Sequence, residues 1–316
     1  MNGALLVDKP PGPTSHDIVA FVRRTLKISR VGHTGTLDPL ATGLLVVLVG
    51  HATRLAQFLV ADEKEYVADV RLGIATPTYD AASLGEVRGA GSEVRVSSAE
   101  IEAVLAEFRG TFMQTPPAFS AKKVDGIPAY RQARKDLPVE LKPVAVTVRE
   151  LEVLSAPHPD LAPPASNPAP RTAPPAPRTS LLRLRVAASS GFYVRSLAHD
   201  IGQRLGCGAH LEALRRTRVG GFRVEEACTL DVLEAAGPAA PCVRTMNGLL
   251  GAWPEVRLTE EGLRRAGHGN SLGPQHLAGR PPDRPGRVRV LDGAGELLAV
   301  AEERPDGLLH PLLVLR

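Results

Sequence analysis

The sequence predicts an α+β protein, in which a mixed and largely antiparallel sheet with flanking helices is followed by a small β-rich region. Strand-like and helix-like segments follow one another without the regular alternation of a doubly wound fold. The run LLVVLV at 44–49 is continuous and partly β-branched, as in strands that are buried on both faces. After residue 250 the pattern changes to one hairpin followed by a final strand.

The N-terminal elements are predicted from periodicity and turn residues. ALLV (4–7) indicates a short strand, and Ser15 is predicted to cap a helix over 16–26, where apolar residues recur at helical spacing. A short helix is expected over 53–59. The alternation in EYVADVRLGI (65–74) predicts a half-buried strand. A helix is predicted over 99–110, with its last glycine, Gly110, closing it.

Two further strands, at 142–154 and 181–189, flank a proline-rich insertion. Nine of the 21 residues at 157–177 are proline, so we expect an exposed segment that joins two strands rather than two domains. A helix is expected over residues 194–206. We place the main domain at 1–250 and the β-rich domain, with a hairpin and a final strand, at 251–316.

Composition indicates a chain with a sizeable core and no covalent cross-links. Hydrophobic residues make up 43% of the 316 residues, and the three cysteines, Cys207, Cys228 and Cys242, lack C-x-x-C spacing. An odd number of cysteines fits a reducing compartment. The first residues do not resemble a signal peptide, and no apolar run reaches the length of a membrane span. We expect a cytoplasmic monomer that does not bind membranes.

Positive charge is concentrated in three segments, although the net charge is only +4. Residues 21–30, 109–135 and 181–224 carry four, six and eight basic residues against zero, one and two acidic ones. This distribution is typical of a protein that binds a polyanion. A solvated, arginine-rich surface would produce the same pattern, so charge alone leaves both interpretations open.

The stretch GHTGTLDPLATG (32–43) contains a single acidic residue, Asp38, among three glycines. Asp-Pro is most often a simple turn. Here, however, Pro39 favours an extended backbone at Asp38, and the buried strand that follows gives the carboxylate a rigid base. A partly desolvated carboxylate can be a nucleophile, a base or a metal ligand. No second carboxylate lies nearby and Cys207 with His210 is a weak metal signal, so we expect neither metal nor cofactor.

Five blocks of this sequence resemble, in order, the TruB-type tRNA pseudouridine-55 synthases. They are DKPPGPTSHDIV, GHTGTLDPLATGLL, KEYVADVRLGIATPTYD, PPAFSAKKVDGIPAYRQAR and SGFYVRSLAHDIGQRLGCGAHLEALRRTRVG. Together they cover about residues 5–250, which the resemblance makes a catalytic domain. The tail at 251–316 resembles the PUA-like module of this family only loosely.

The resemblance implies isomerisation of uridine to pseudouridine at position 55 in the T loop of tRNA. In this reaction the N1–C1′ bond breaks, the uracil turns, and C5 is joined to C1′ without cofactor or metal. By the resemblance Asp38 is the nucleophile, and attack at C6 of the base or at C1′ of the ribose both remain open. The base must first be flipped out, which costs a few kcal/mol.

The resemblance also implies substrate contacts. Tyr66 would stack on the target base, and His33 would occupy the stack behind the flipped base. Arg195 would pair with the aspartate, whereas Tyr193 and Leu214 would line the base pocket. Without the resemblance, Tyr66 fits an ordinary strand aromatic equally well, and Tyr193 and Leu214 fit core packing equally well. His33 on its own is better explained as a loop histidine bonded to its own backbone.

Other residues in the same blocks are expected to support the site. We expect a structural role for Lys9, support of the site by Asp80, and contacts of Lys122 and Lys123 with the RNA backbone. Phe119 stands where the family commonly has tyrosine, which removes a hydroxyl but keeps the ring. TPTYDAAS also lacks the glycine that usually follows the aspartate.

Three alternative functions remain open from the sequence. A guide-RNA-dependent pseudouridine synthase would share these blocks, although the short tail without a lysine-rich extension argues against it. A non-catalytic protein that binds or folds tRNA could use the same groove. An aspartate-dependent nucleotide glycosylase would excise the base instead of rejoining it.

Overall fold

The computed structural model describes residues 1–83, 96–120, 122–124, 126–133, 135, 138–154, 180–279 and 286–315. The predicted insertion at 157–177 lies outside these residues. Within the described ranges, no helix has the length and apolar character needed to cross a membrane.

Short helices and many strands make up the chain. The strands are β1 (Gly3–Lys9), β2 (Val31–His33), β3 (Thr42–Val49), β4 (Lys64–Leu72), β5 (Gly110–Gln114), β6 (Lys123–Val124), β7 (Ile127–Pro128), β8 (Val144–Val153), β9 (Ser180–Ala188), β10 (Ala209–Val219), β11 (Phe222–Arg223), β12 (Val243–Thr245), β13 (Glu255–Arg257), β14 (Arg287–Leu291), β15 (Leu297–Glu303) and β16 (Leu309–Val314). The helices are α1 (Ser15–Thr25), α2 (Ala56–Leu59), α3 (Ser98–Glu107), α4 (Ala129–Ala133), α5 (Val194–Arg204), α6 (Leu230–Ala236), α7 (Met246–Leu249) and α8 (Glu260–Gly267).

The main sheet has ten strands within the described residues. Its order is β12-β1-β3-β10-β4-β9-β8-β5, with β2 beside β3 and β11 beside β10. Among these pairs β3 and β10 run parallel and the others antiparallel, so the α+β prediction is confirmed. Residues 44–49 of β3 are at most 1% exposed, as the apolar run predicts.

Strand β4 is more buried than the predicted half-buried strand. Asp69, at a position that alternation assigns to the polar side, is buried. Both of its carboxylate oxygens accept hydrogen bonds of 2.6 Å from Arg183 on the neighbouring strand. A buried carboxylate of this kind requires such a partner, which lies far along the chain.

Three predicted helix ends differ from the structure. Thr14 caps α1 through a capping box with Asp17, whereas Ser15 is the first helical residue and its hydroxyl bonds to the backbone of Leu37. Only 56–59 of the predicted helix over 53–59 is α-helical, because a 3₁₀ helix precedes it. Gly110 begins β5 instead of closing α3, which ends at Glu107.

The C-terminal strands form a second sheet in the order β13-β14-β15-β16. The predicted hairpin is the antiparallel pair β14–β15, and β16 is the predicted final strand. One face, including Leu291, Val300 and Leu313, joins the core of the main sheet. The other face, including Val290, forms a smaller core with residues of α8. The boundary at residue 250 remains a prediction.

Candidate active site

A cavity of about 410 Å³ opens where the loop from β2 to β3, strands β4 and β10, and the start of α5 meet. We call residues 34–41 the Asp38 loop. Of the residues predicted from the sequence, six line this cavity: Asp38, Tyr66, Lys122, Tyr193, Arg195 and Leu214. The lining thus combines a carboxylate, aromatic rings and basic groups, which suits a flat, polar ring attached to an anionic chain.

Asp38 and Arg195 form a two-pronged ion pair at this cavity. The Nε atom of Arg195 lies 2.9 Å from Oδ2 of Asp38, and Nη2 donates a hydrogen bond of 3.3 Å to Oδ1. The guanidinium side chain is 5% exposed and the carboxylate side chain 34% exposed, so the pair presents its anionic end to the cavity. The pairing predicted for these two residues is therefore present.

The remaining donors of Arg195 fix its orientation. Nη2 also donates to the carbonyl of Phe119 at 2.9 Å, and Nη1 donates to the carbonyl of Thr78 at 3.2 Å. Nη1 lies 3.4 Å from Oδ2 of Asp80, whose Oδ1 accepts from the Thr78 hydroxyl at 2.6 Å. Asp80 thus contacts the same guanidinium as Asp38, and its support of the site remains a prediction.

Opposing influences act on the pKa of Asp38. Burial raises this pKa above its ordinary value, and the nearby Asp80 carboxylate raises it further. The Arg195 guanidinium and, more weakly, Lys9 lower it. Because a desolvated carboxylate tends to take up a proton, the guanidinium is the main group that opposes this rise in pKa.

Two buried cations bind the backbone of the Asp38 loop. The ammonium of Lys9, which is 0% exposed, donates to the carbonyls of Ala41 at 2.6 Å and Pro39 at 3.3 Å. The guanidinium of Arg216, 1% exposed, donates to the carbonyls of Gly35 at 3.2 Å and Thr36 at 3.4 Å, on the other side of Asp38, and to that of Leu44 on β3 at 2.7 Å. These contacts agree with a structural role for Lys9, which remains a prediction.

Gly43 allows β3 to approach β10 closely enough for these contacts. Its φ is +95°, and a Cβ at this position would lie 2.3 Å from the Arg216 carbonyl oxygen. Side chains rarely adopt this backbone conformation, and no real Cβ contact is so short. The glycine that follows the Asp38 loop is therefore a requirement of packing.

The base-binding residues predicted from the resemblance have different surroundings. Tyr66 and Leu214 lie on the adjacent strands β4 and β10, and Tyr193 precedes α5, where its backbone bonds to the Gln114 amide at 2.8 and 3.0 Å. Within the described part of the chain, His33 on β2 is not among the residues lining the cavity. Its Nδ1 accepts a hydrogen bond from the Gly35 backbone N–H at 3.3 Å.

Of the two lysines expected to contact the RNA backbone, Lys122 lines the cavity. Lys123 lies on β6, and its side chain is outside what the structure describes. Their contacts with RNA therefore remain predictions.

Sequence reasoning missed Arg216 and Lys64, both of which line the cavity. The Lys64 ammonium is buried and donates to the carbonyls of Val60 at 2.7 Å and Asp62 at 2.5 Å. Burial lowers its pKa to about 8. The sequence signal for both residues is a basic side chain within an apolar strand or at its start. Such a side chain is rarely buried unless its charge has partners inside the protein.

Comparisons with known proteins identify the class of enzyme. A family model for the N-terminal domain of TruB family pseudouridylate synthases matches residues 23–194, and one for the C-terminal domain of tRNA pseudouridylate synthase B matches residues 195–240. The fold and the carboxylate-centred cavity thus define a pseudouridine synthase. The chain belongs to the TruB family.

Relatives and solved structures agree with this membership. The tRNA pseudouridine synthase B of Solibacter usitatus (strain Ellin6076) is 41% identical over 318 residues, covering 100% of both chains. That of Burkholderia pseudomallei (strain 668) is 41% identical over 98% of this chain and 96% of its own. Chains from an H/ACA RNP bound to a substrate RNA containing 2′-deoxyuridine and from a Cbf5-Nop10-Gar1 complex have TM-scores of 0.69 and 0.71, with 25% and 26% identity. The alignments cover 99% of this chain and 85% of each of those chains.

Proposed function

We propose that this protein converts uridine 55 in the T loop of tRNA to pseudouridine, with Asp38 as the nucleophile. The observation that supports it most directly is the Asp38–Arg195 ion pair, whose carboxylate faces the cavity. Relatives named tRNA pseudouridine synthase B, at 41% identity over the full chain, support tRNA as the substrate. A monomeric state and a cytoplasmic location remain predictions.

The cavity lining supports binding of an extruded base. Tyr66 provides an aromatic face and Leu214 an apolar one beside Asp38. Stacking on an aromatic side chain is worth about 1–3 kcal/mol per base, which offsets much of the cost of flipping. His33 is not among the described residues that line the cavity. We assign its ring to the space that the flipped base leaves in the RNA base stack.

The electrostatics of the site support a carboxylate nucleophile. Attack at C6 of the uracil or at C1′ of the ribose requires the ionised form of Asp38. Arg195 favours that form, and its contacts with Phe119 and Thr78 leave the guanidinium little freedom to turn away. The protein therefore pre-orients the anion before the base enters, so that little reorganisation remains for the chemical step.

The decisive experiment is incubation of the protein with an unmodified tRNA transcript, followed by site-resolved mapping of pseudouridine. We expect product at position 55 without any guide RNA. Asp38→Asn should fold and bind tRNA but lose at least about a thousandfold in single-turnover rate, because the amide keeps the shape and lacks the anion. Asp231→Asn, at an exposed aspartate, is the matched control and should retain the wild-type rate.

Each alternative has its own outcome in this experiment. Product that forms only when a guide RNA is added would indicate a guide-dependent synthase. An abasic nucleotide in place of pseudouridine would indicate a glycosylase, and tight binding without any product a tRNA-binding or tRNA-folding protein. An Asp38→Asn variant with turnover within tenfold of wild type would overturn the role of Asp38.

A further inference from the structure

The loop that carries Asp80 contacts α5 at two points that are one helical turn apart. At the first point, Arg195 donates to the Thr78 carbonyl and lies beside the Asp80 carboxylate. At the second point, the ring of Tyr79 stacks on the ring of His199, with centroids 3.9 Å apart and planes inclined by 14°. Residues four apart on a helix share one face, so Arg195 and His199 meet consecutive residues of the same loop.

Tyr79 has an unusual backbone conformation for a bulky residue. Its φ is +63°, in the left-handed region that favours glycine. The backbone is fixed there by two hydrogen bonds, from Tyr79 N–H to the Thr76 carbonyl at 3.1 Å and from Leu211 N–H to the Tyr79 carbonyl at 2.9 Å. This conformation directs the ring toward α5. Strained residues persist where the surrounding structure requires them, and they concentrate at functional sites.

The strained residue lies directly before Asp80. Loss of the contact between the Tyr79 ring and α5 would therefore free the backbone that carries the Asp80 carboxylate, which lies 3.4 Å from Arg195 Nη1. Arg195 in turn contacts both oxygens of Asp38. A continuous series of contacts thus leads from the Tyr79–His199 stack to the Asp38 carboxylate. Asp38 is among the described residues that line the active-site cavity, and the two stacked rings are not.

The stack on Tyr79 is the ring contact of His199 that the described residues show. Its Nδ1 atom is buried and has no hydrogen-bond partner among the described residues. Burial lowers the pKa of this imidazole, which favours the neutral ring and avoids a second cation close to Arg195. The observed interaction of the ring is therefore the near-parallel stack on Tyr79.

We propose that Tyr79 and His199 form a positioning pair that sets the orientation of Asp80 and Arg195, and through them of Asp38. This inference rests on the proposed role of Asp38 as nucleophile. Neither residue contacts the substrate in this scheme. They act on the rate of the chemical step and leave tRNA binding unchanged.

The test compares variants that keep or remove the stack. Tyr79→Phe keeps the ring and should react at the wild-type rate. Tyr79→Gly suits the left-handed backbone but lacks the ring, and His199→Ala removes the opposite ring. Each should lower the single-turnover rate on bound tRNA by roughly ten- to a hundredfold, with the Kd for tRNA within about twofold of wild type. His199→Phe, which restores an aromatic face, should recover most of the rate.

Two further readouts separate positioning from a general loss of stability. The double variant Tyr79→Gly/His199→Ala should be no slower than either single variant, because both remove the same contact. In Tyr79→Gly the acidic limb of the rate profile should move to higher pH, since a displaced Arg195 lowers the pKa of Asp38 less effectively.

Single-variant rates within twofold of wild type, or fully additive losses, would overturn the inference. Unchanged rates in these variants beside an inactive Asp38→Asn would overturn the positioning pair alone. An active Asp38→Asn would overturn the proposed function, and the inference with it. Should Tyr79→Gly fail to fold, His199→Ala on the half-buried face of α5 decides the question.

Discussion

The guanidinium of Arg195 meets both carboxylate oxygens of Asp38, with Nε 2.9 Å from Oδ2 and Nη2 3.3 Å from Oδ1. Arg195 is 5% exposed and Asp38 34% exposed. The cation therefore belongs to the protein interior and the anion to the cavity. This arrangement favours the ionised form of the carboxylate and fixes its direction.

The first prediction concerns Arg195. Arg195→Lys should bind tRNA almost normally but lose at least about tenfold in kcat, because an ammonium lacks the planar pair of donors. Arg195→Met should be slower still. Burial already raises the pKa of Asp38, and removal of the guanidinium leaves that effect less opposed. The rate of Arg195→Met should therefore rise with pH along a limb displaced to higher pH than in wild type.

The matched control for this prediction is Arg204→Lys, on the same helix. Arg204 forms an exposed ion pair with Glu107 at 2.8 Å, and the variant should keep the wild-type profile. Single-turnover rates across pH measure both. An unshifted profile in Arg195→Met at the wild-type rate would make Arg195 a phosphate contact or a structural residue.

Lys9 gives a prediction for stability. Burial lowers its pKa in the folded protein to about 8, below the ordinary lysine value in the unfolded chain. Between these two values the unfolded chain binds a proton that the folded protein lacks, so the contribution of Lys9 to stability increases with pH. The free energy of unfolding of wild type, minus that of Lys9→Met, should rise by about 1–3 kcal/mol from pH 8 to above 10.

Denaturant unfolding at several pH values measures this difference for Lys9. The subtraction removes groups that titrate alike in both proteins, including Lys64. A difference that stays flat or falls over this window would contradict the lowered pKa.

Gly43 gives a prediction for packing. Gly43→Ala places a Cβ 2.3 Å from the Arg216 carbonyl and adds the strain of a φ of +95°. We expect a loss of about 3 kcal/mol or more in stability, because β3 and β10 must separate. Gly295→Ala has a similar φ of +83° and nothing within 4 Å, so it should show the backbone strain alone, about 1 kcal/mol. Equal losses in both variants would exclude the close approach as the cause.

Lys122 and Lys123 give a prediction for RNA binding. For about five contacted phosphates, affinity should fall several hundredfold between roughly 50 and 200 mM salt, with a slope near −0.9 per phosphate. Lys122→Ala should reduce this slope by about one contact and the double variant by about two. Filter binding over a salt series provides the slopes. Identical slopes in all three proteins would show that this segment does not contact RNA.

The proline-rich insertion gives the last prediction. Strands β8 and β9 are antiparallel neighbours, and Leu154 N–H donates to the Arg183 carbonyl near the insertion. A short loop can therefore connect the two strands. Replacement of 157–177 by a Gly/Ser bridge should leave kcat and KM within about twofold of wild type. A large increase in KM would assign the insertion to tRNA binding.

Much of this architecture could be predicted because its signals are local. The apolar run of β3, the Asp-Pro step at Asp38 and the turn of the C-terminal hairpin all depend on adjacent residues. The prediction that Ser15 caps α1 is wrong, because its hydroxyl bonds to the backbone of the distant Leu37 while Thr14 caps the helix. Short-range patterns cannot choose between a local and a long-range acceptor.

Arg216 could not be predicted for a related reason. A basic residue in a strand indicates that a buried partner exists, but the acceptors here are backbone carbonyls, which every residue has. Only the parallel pairing of β3 with β10 brings them within reach. The hydrogen bond between the His33 ring and the Gly35 backbone, by contrast, matches the local interpretation of His33 as a loop histidine bonded to its own backbone.

The two cations that bind the Asp38 loop also constrain when the site can form during protein synthesis. Ala41 lies 32 residues from Lys9 in the chain, but Thr36 lies 180 residues from Arg216. A nascent chain that has emerged only in part therefore has the loop and its first cation without the second. Contacts of such sequence separation form late in folding. The Asp38 carboxylate consequently reaches the geometry seen here only once nearly the whole sheet has assembled, and incomplete translation products lack the assembled site.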